Sequence, residues 1–122
     1  MAAGKKRKKP RNFTAVAKET LKKDFGCELV DECENRISSR MKRDFLGFVD
    51  MIGLAPGVFV MLQFTSKINA MARRHKIVAN ENAKYVVENG IARVIVIGFD
   101  STKYGDDYRL IELEPSDFEG VE

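Results

Sequence analysis

The sequence predicts an α/β fold in which helices pack against a mixed sheet. Three features indicate this fold. A helix-like segment opens the chain, an apolar hairpin lies at its centre, and an apolar run follows at residues 92–99. The length of 122 residues suits one domain with a single core, and an apolar fraction of 44% is ordinary for a globular protein. Neither a repeat nor a second domain is evident.

The first half of the chain predicts one helix and three strands. Residues 12–25 carry apolar side chains at spacings of three and four, and Gly26 is a typical residue to end such a helix. "CELVDEC", residues 27–33, predicts a short strand, followed by a polar loop. Two strands, 44–55 and 58–66, are then joined at Pro56-Gly57.

The second half predicts two helices and two strands. Residues 68–79 and 80–89 are helical, and "ARVIVIGF" is typical of a strand buried on both faces. A turn at 101–107 leads to a final strand at 108–114. In the helix 68–79, an apolar stripe that includes Ile68, Met71, Val78 and His75 predicts that this histidine is packed.

Basic charge is concentrated at the beginning of the chain. Residues 1–11 contain six of the 21 Lys and Arg residues and no acid, so residues 12–122 have 15 basic against 18 acidic groups. The pattern predicts a disordered basic tail that attracts phosphates by counterion release, or else a solubilising or localising tail. Residues 115–122 are acidic and predicted to be loose. The tail's basic residues are Lys5, Lys6, Arg7, Lys8, Lys9 and Arg11.

The two cysteines, Cys27 and Cys33, have the spacing of neither a redox pair nor a zinc site, which favours a reducing, cytoplasmic compartment. No signal peptide is evident. The apolar run 44–66 is broken by acids and by Pro-Gly, which argues against a membrane segment.

The hairpin predicts a cluster of polar side chains on one face. Symmetric pairing around Pro56-Gly57 places Asp50 opposite Gln63 and Phe48 opposite Thr65, although a three-residue loop would shift this register by one. A carboxylate on an apolar surface is costly unless it is paired, hydrated or bound to a metal ion. A metal ion held by Asp50 and the Gln63 amide would satisfy both groups.

The same residues resemble a known family. Val49-Asp50 stands at the "PD" position and Gln63-Phe64-Thr65 at the acid-x-lysine position of the PD-(D/E)xK nuclease superfamily. "RDFLGFVDMIGL", "LQFTSK" and "NAMARRHKI" are similar to a phage and bacterial branch of Holliday-junction-resolvase-like proteins with a variant Gln-x-Thr motif. The resemblance covers residues 12–114 and implies an αβββαβ restriction-endonuclease-like sandwich, a mixed central sheet flanked by helices.

The resemblance implies a homodimeric endonuclease that hydrolyses branched DNA, such as Holliday junctions, with Mg²⁺ or Mn²⁺. Asp50 would be the essential metal ligand, and Asp44 and Gln63 would be further ligands. Gln63 and Thr65 stand where the family has a carboxylate and a lysine. The missing amine is expected from Lys67, if the strand continues that far, or from Lys76. Glu19 would complete the site or would be a solvent-facing helix charge.

The basic residues near this motif predict contacts with DNA phosphates, with a solvated surface as the alternative. They are Arg43, Arg73, Arg74 and Lys76, together with the basic residues of the tail. Two other functions stay open at this point. One is a nucleic-acid-binding module of the same fold that does not cleave, and the other is a phage structural or assembly protein that uses the hairpin as an interface.

Overall fold

The computed structural model describes residues 13–33, 35–36, 42–100 and 108–119. The predicted basic tail, residues 1–11, and the predicted turn, 101–107, lie outside this part of the chain. The helices are α1 (Phe13–Asp24), α2 (Ala70–Val78) and α3 (Glu81–Glu88), with 3-10 turns at Lys67–Asn69 and Pro115–Phe118. The strands are β1 (Leu29–Glu32), β2 (Asn35–Arg36), β3 (Lys42–Arg43), β4 (Met51–Ala55), β5 (Val58–Ser66), β6 (Arg93–Phe99) and β7 (Tyr108–Glu112).

Five strands form one mixed sheet in the order β1-β4-β5-β6-β7. The central strand β5 runs parallel to β6, and the other neighbours are antiparallel. The short strands β2 and β3 pair with each other within the stretch predicted as a polar loop. The predicted α/β class with a mixed sheet is therefore confirmed.

The β4–β5 hairpin has the register that symmetric pairing predicts. Leu54 pairs with Phe59 and Met51 pairs with Leu62. Gly57 has a φ of 74°, the positive value that the third residue of a type II turn requires. The Pro-Gly pair thus forms a two-residue turn, and the register is not shifted.

The strand predicted at 44–55 begins only at Met51. Before it, residues 44–50 form a compact loop closed by a bridge between Phe45 and Val49. Leu46 and Gly47 have φ values of 57° and 84°, both left-handed, and such residues reverse the chain instead of extending it. The sequence predicted that Asp44 and Asp50 lie on one extended strand. This prediction is wrong, because both residues precede β4.

The two faces of the sheet are covered by different helices. On one face α1 packs against an apolar cluster, called here the α1 face: Val16, Ala17, Leu21, Cys27, Met51, Val60, Leu62, Ile95, Ile97 and Phe99. On the other, the α2–α3 face, the cluster consists of Phe48, Val49, Met61, Ala70, Ile77, Ala83, Val86, Val87, Val94, Val96, Leu113 and Phe118. Strand β6 is buried on both faces along Val94–Phe99, as predicted.

The prediction of an apolar stripe in the helix at 68–79 that packs His75 is wrong. Ala70 and Ile77 are the buried residues of α2, whereas Ile68 is 92% exposed and His75 is exposed as well. Two features explain the difference. Ile68 lies in the 3-10 turn before the helix, and Ala70 packs where Gly98 lacks a side chain, since a Cβ there would be 2.9 Å from the Cβ of Ala70.

The segment predicted as a loose acidic end is packed as far as it is described. Pro115–Phe118 form a 3-10 turn whose last side chain is 1% exposed. Asp117 caps this turn by accepting from the Glu114 N–H at 2.7 Å, and Arg74 donates to Asp117 at 2.8 Å. One aromatic anchor and one ion pair thus hold a segment whose composition had indicated mobility.

Candidate functional site

Strand β5 places two polar residues on the α2–α3 face near its carboxyl end. Gln63 is 5% exposed and Thr65 is 7% exposed. Side chains alternate along a strand, so the neighbouring Leu62 and Phe64 point to the α1 face. In a parallel pair such as β5–β6, the carboxyl ends of the strands are a frequent place for ligand sites.

The loop 44–50 brings two carboxyl groups to Gln63. The Gln63 Nε2 donates to Asp44 Oδ2 at 3.3 Å, and the Phe64 N–H donates to Asp50 Oδ2 at 3.2 Å. The Asp44 side chain also lies close enough to Asp50 to raise the pKa of the Asp50 carboxyl. The predicted meeting of Asp44, Asp50 and Gln63 is therefore present, although a loop and not an extended strand produces it.

The environment of Asp50 disfavours its charged form. Burial is the largest cause and the nearby Asp44 carboxylate the next, and together they raise the pKa of Asp50 to about 7. The Phe64 N–H and the positive charge of Arg73 oppose this shift. These surroundings favour the protonated form of Asp50, and a bound cation would replace that proton.

The amide oxygen of Gln63 lacks a hydrogen-bond partner. Among the residues that the structure describes, Gln63 Oε1 is the only buried side-chain nitrogen or oxygen in this state. A buried acceptor left unpaired costs about 1–3 kcal/mol. Such an exception to the general satisfaction of buried polar groups calls for an explanation, and a bound cation is one.

A pocket of about 210 Å³ borders Asp44 and Gln63, whereas Asp50 is not one of its lining residues. Its walls differ in charge, since Asp44 and Gln63 line one part while Arg73 and Lys76 on α2 line another. The remaining lining residues are Gly47, Phe48 and Ile77. A pocket that joins a carboxylate and an amide to basic side chains suits a ligand composed of a metal ion and a phosphate.

The donor set fits a hard divalent cation. Two carboxylates and an amide oxygen are the ligand types that Mg²⁺ and Mn²⁺ prefer, and Mg²⁺ usually completes its shell with waters and substrate phosphates. In the described ranges, no group of three or more His, Cys, Asp or Glu side chains is placed to hold a metal ion. The third protein donor would therefore be the unpaired Gln63 Oε1.

The structure separates the other predicted catalytic residues. Strand β5 ends at Ser66, so the alternation that would place Lys67 on the face of Gln63 stops one residue too early. Lys76 lines the pocket and is the better placed amine. Glu19 is exposed on α1, which covers the opposite face of the sheet, and the structure does not bring it to the aspartates.

The predicted DNA contacts also divide. Arg73 lines the pocket, whereas Arg74 forms the ion pair with Asp117. The backbone of Arg43 belongs to β3, but its side chain lies outside the described part of the structure. The basic residues of the tail are outside it as well: Lys5, Lys6, Arg7, Lys8 and Lys9.

Two asparagines at the start of α3 support the loop, and sequence reasoning missed them. The Nδ2 atoms of Asn80 and Asn82 donate to the Leu46 carbonyl at 3.3 and 3.1 Å. Asn80 also caps α3, because its Oδ1 accepts from the Ala83 N–H at 3.0 Å. The capping role is visible in the sequence, but the contact with Leu46 joins residues more than 30 positions apart.

Cys33 is a second neighbour that the sequence did not indicate. Its thiol donates to the Val49 carbonyl at 3.6 Å, and its N–H donates to the Asp50 carbonyl at 3.0 Å. Burial is the main cause that raises the pKa of this thiol to about 11, and the charges of Asp50 and Asp44 contribute. The thiol therefore stays protonated beside the two acids.

Comparisons with protein-family models, with curated proteins and with solved structures give no match to this chain. The fold class and the site geometry therefore rest on the chain itself. Among the described helices, none has the length and apolar character needed to cross a membrane.

Proposed function

We propose that this protein is a metal-dependent DNA endonuclease with a variant PD-(D/E)xK site on a restriction-endonuclease-like αβββαβ sandwich, preferring branched DNA. The observation that carries the proposal is the convergence of Asp44 and Asp50 on Gln63, whose buried Oε1 has no partner. The choice of branched DNA as the substrate comes from the resemblance of the hairpin to that superfamily. A homodimer would present two such sites to the two strands that a resolvase must cut.

In this proposal each of the acidic, amide and basic side chains described above has a role. Asp44, Asp50 and the Gln63 Oε1 would hold Mg²⁺ or Mn²⁺. When bound, this ion would polarise the phosphate and lower the pKa of an attacking water. Arg73 and Lys76, on the basic wall, bind the phosphate oxygens and balance their charge.

Because the motif is a variant, the amine of the usual site would have to come from another residue. Thr65 is 7% exposed and carries no amine, so it cannot act as the lysine of the usual motif does. Lys76 reaches the pocket from α2 and supplies an ammonium group there. Gln63 would contribute an oxygen without a charge, so the protein would hold the cation with two carboxylates in place of three.

The test is a cleavage assay on a four-way junction, its linear duplex arms and the single strands, with Mg²⁺, Mn²⁺ or EDTA. We expect metal-dependent cleavage, fastest on the junction, which falls to background in Asp50→Asn. Glu88→Gln, an exposed acid on α3, serves as the control and should cleave normally. Absence of cleavage on every DNA, or undiminished cleavage by Asp50→Asn, would refute the proposal.

A second candidate is a module of the same fold that binds nucleic acid without cutting it. The burial of Thr65 at the lysine position favours this alternative. It predicts salt-sensitive DNA binding that is equal in EDTA and Mg²⁺, and that weakens in Arg73→Gln. Cleavage in the assay above excludes it.

A further inference from the structure

The loop that carries the acids ends in an exposed apolar tip. Phe45 is 42% exposed and Leu46 is 37% exposed. These two residues follow Asp44 directly and precede Gly47, and both of those neighbours line the pocket. Two large apolar side chains thus stand next to a pocket that the charged side chains of Asp44, Arg73 and Lys76 line in part.

The tip is held in place from several sides. The Phe45 N–H donates to the Val49 carbonyl at 3.1 Å, and the Val49 N–H donates back to the Phe45 carbonyl at 2.9 Å. The Leu46 carbonyl accepts from the side chains of Asn80 and Asn82. A preorganised tip loses little conformational freedom when it binds a partner, so its contacts count toward affinity.

The left-handed backbone at Leu46 adds to this observation. A φ of 57° is unfavourable for a branched residue, and glycine would be the easier choice at this turn. The chain nevertheless carries leucine there and leaves it partly exposed. Strain of this kind persists only where the surroundings determine the conformation, as the two asparagine side chains do here.

The partner must combine negative charge with a flat apolar surface. The pocket has Arg73 and Lys76 for a phosphate, and the tip offers an aromatic ring beside it. A nucleotide has both properties, since its base stacks on an aromatic side chain while its phosphate pairs with cations. Bases inside a regular duplex are already stacked on each other, so the ring requires a base that is unpaired or unstacked.

The place of the basic segment in the sequence, directly before the described part of the chain, agrees with a polyanionic partner. The six basic residues of 1–11 precede α1, whose Phe13 ring lies 5.5 Å from the ring of Phe99. Phe99 pairs with Ser66 at the carboxyl end of the β5–β6 pair. The described chain therefore begins at the same end of the sheet as Gln63 and Thr65.

We propose that the Phe45-Leu46 tip contacts an unstacked nucleobase next to a phosphate bound in the pocket that Asp44 and Arg73 line. The substrate class is then nucleic acid with an unpaired nucleotide, as at a single strand, a frayed end or a branch point. This inference rests on the proposed function and names the substrate feature that its site recognises.

The test is fluorescence anisotropy with a labelled single-stranded DNA and its blunt duplex, in EDTA so that cleavage does not interfere. Phe45→Ala should weaken single-strand binding about 5- to 100-fold, the range that base–aromatic stacking supplies, and should change duplex binding little. Phe45→Trp, which keeps an aromatic ring, should bind single-stranded DNA about as tightly as the original protein. Leu110→Ala, at a position of β7 that is also 42% exposed, should change neither affinity.

Equal losses on both DNAs, unchanged affinity in Phe45→Ala, or the same loss in Leu110→Ala would overturn the role of the tip. The two proposals fail in different ways. A tip that contributes nothing leaves metal-dependent cleavage intact in the junction assay. A protein that never cleaves can still show the selective loss of single-strand binding in Phe45→Ala.

Discussion

The two faces of the sheet differ in how they treat polar groups. On the α1 face the core is apolar, and the buried Thr20 hydroxyl donates to the Val16 carbonyl of its own helix at 2.9 Å. On the α2–α3 face the structure buries Gln63, Thr65 and much of Asp50. One of these groups, the Gln63 amide oxygen, is unpaired.

A single strand produces this difference. Strand β5 sends Leu62 and Phe64 to one face and Gln63 and Thr65 to the other. Burial of the first pair lowers the free energy of the folded protein. The second pair loses hydrogen bonds to water that the protein does not fully replace. Along β5 the α1 face is therefore apolar, whereas the α2–α3 face buries two polar side chains at some cost in stability.

The largest expected effect is on the α1 face. Leu62→Ala removes a fully buried side chain and should lower the free energy of unfolding by about 2–5 kcal/mol. Urea denaturation followed by circular dichroism measures the change. The matched substitution Leu110→Ala, on an exposed position, should cost much less. A similar loss for both would mean that burial in the α1-face core is not what makes Leu62 important for stability.

The adjacent residue should respond in the opposite direction. Gln63→Leu removes the unpaired buried oxygen, a gain of about 1–3 kcal/mol, and the hydrogen bond to Asp44, a loss of about 0.5–1.5 kcal/mol, so the free energy of unfolding should rise on balance. The same variant should lose Mg²⁺ binding, measured by isothermal titration calorimetry, because the third donor is absent. Destabilisation by Gln63→Leu would show that Gln63 serves the core and not a ligand.

The near-isosteric Gln63→Glu sharpens this comparison. A third carboxylate beside Asp44 and Asp50 should destabilise the metal-free protein through like-charge repulsion. Added Mg²⁺ should then raise its melting temperature more than it raises that of the original protein. An identical response of the two proteins to Mg²⁺ would place the cation elsewhere.

The pH dependence follows from the raised pKa of Asp50, about 7 in the fold against about 3.9 in an unfolded chain. Between these values the folded state holds a proton that the unfolded state has released. The contribution of Asp50 to stability is therefore most favourable below about pH 4, falls as pH rises, and is least favourable above about pH 7, whereas Glu112 and Asp117, whose pKa values are lowered, contribute stability that is lost at low pH. Asp50→Asn should flatten this decline, as thermal melts at several pH values would show.

Metal binding should show the reverse trend. Because a ligand carboxylate must lose its proton, Mg²⁺ affinity should rise about 10-fold per pH unit below pH 7 and level off above it. Calorimetric titrations at pH 5.5, 6.5 and 8 would measure this trend. An affinity independent of pH would remove Asp50 from the set of ligands.

The smallest expected effect concerns the support of the loop. Asn82→Ala deletes one of two hydrogen bonds to the Leu46 carbonyl and should cost about 0.5–1.5 kcal/mol in stability. It should also shift the pKa of Asp50, measured by carbon NMR of its carboxyl group, because the loop sets the distance to Asp44. Asn89→Ala, which loses only a contact within its own helix end, is the control.

Local patterns predicted much of the fold and part of the site. Helix α1, the hairpin register and the strand at β6 follow from spacing, turn chemistry and apolar runs that act over a few residues. The hairpin arithmetic also placed Asp50 beside Gln63. The packed end at Phe118 and the buried face of α2 could not be predicted, because they depend on contacts with distant parts of the chain.

The sequence by itself determined which residues lie on each face of β5, because strand alternation and the Pro-Gly turn leave one register that buries the apolar set. Only the tertiary structure decided that Asp44 lies beside Gln63 and that Glu19 lies on the helix that covers the opposite face. Asp44 reaches Gln63 through a loop held by asparagines from α3, and α1 lies on the opposite side of the sheet. Such placements depend on how the layers pack, and no short stretch of sequence encodes them.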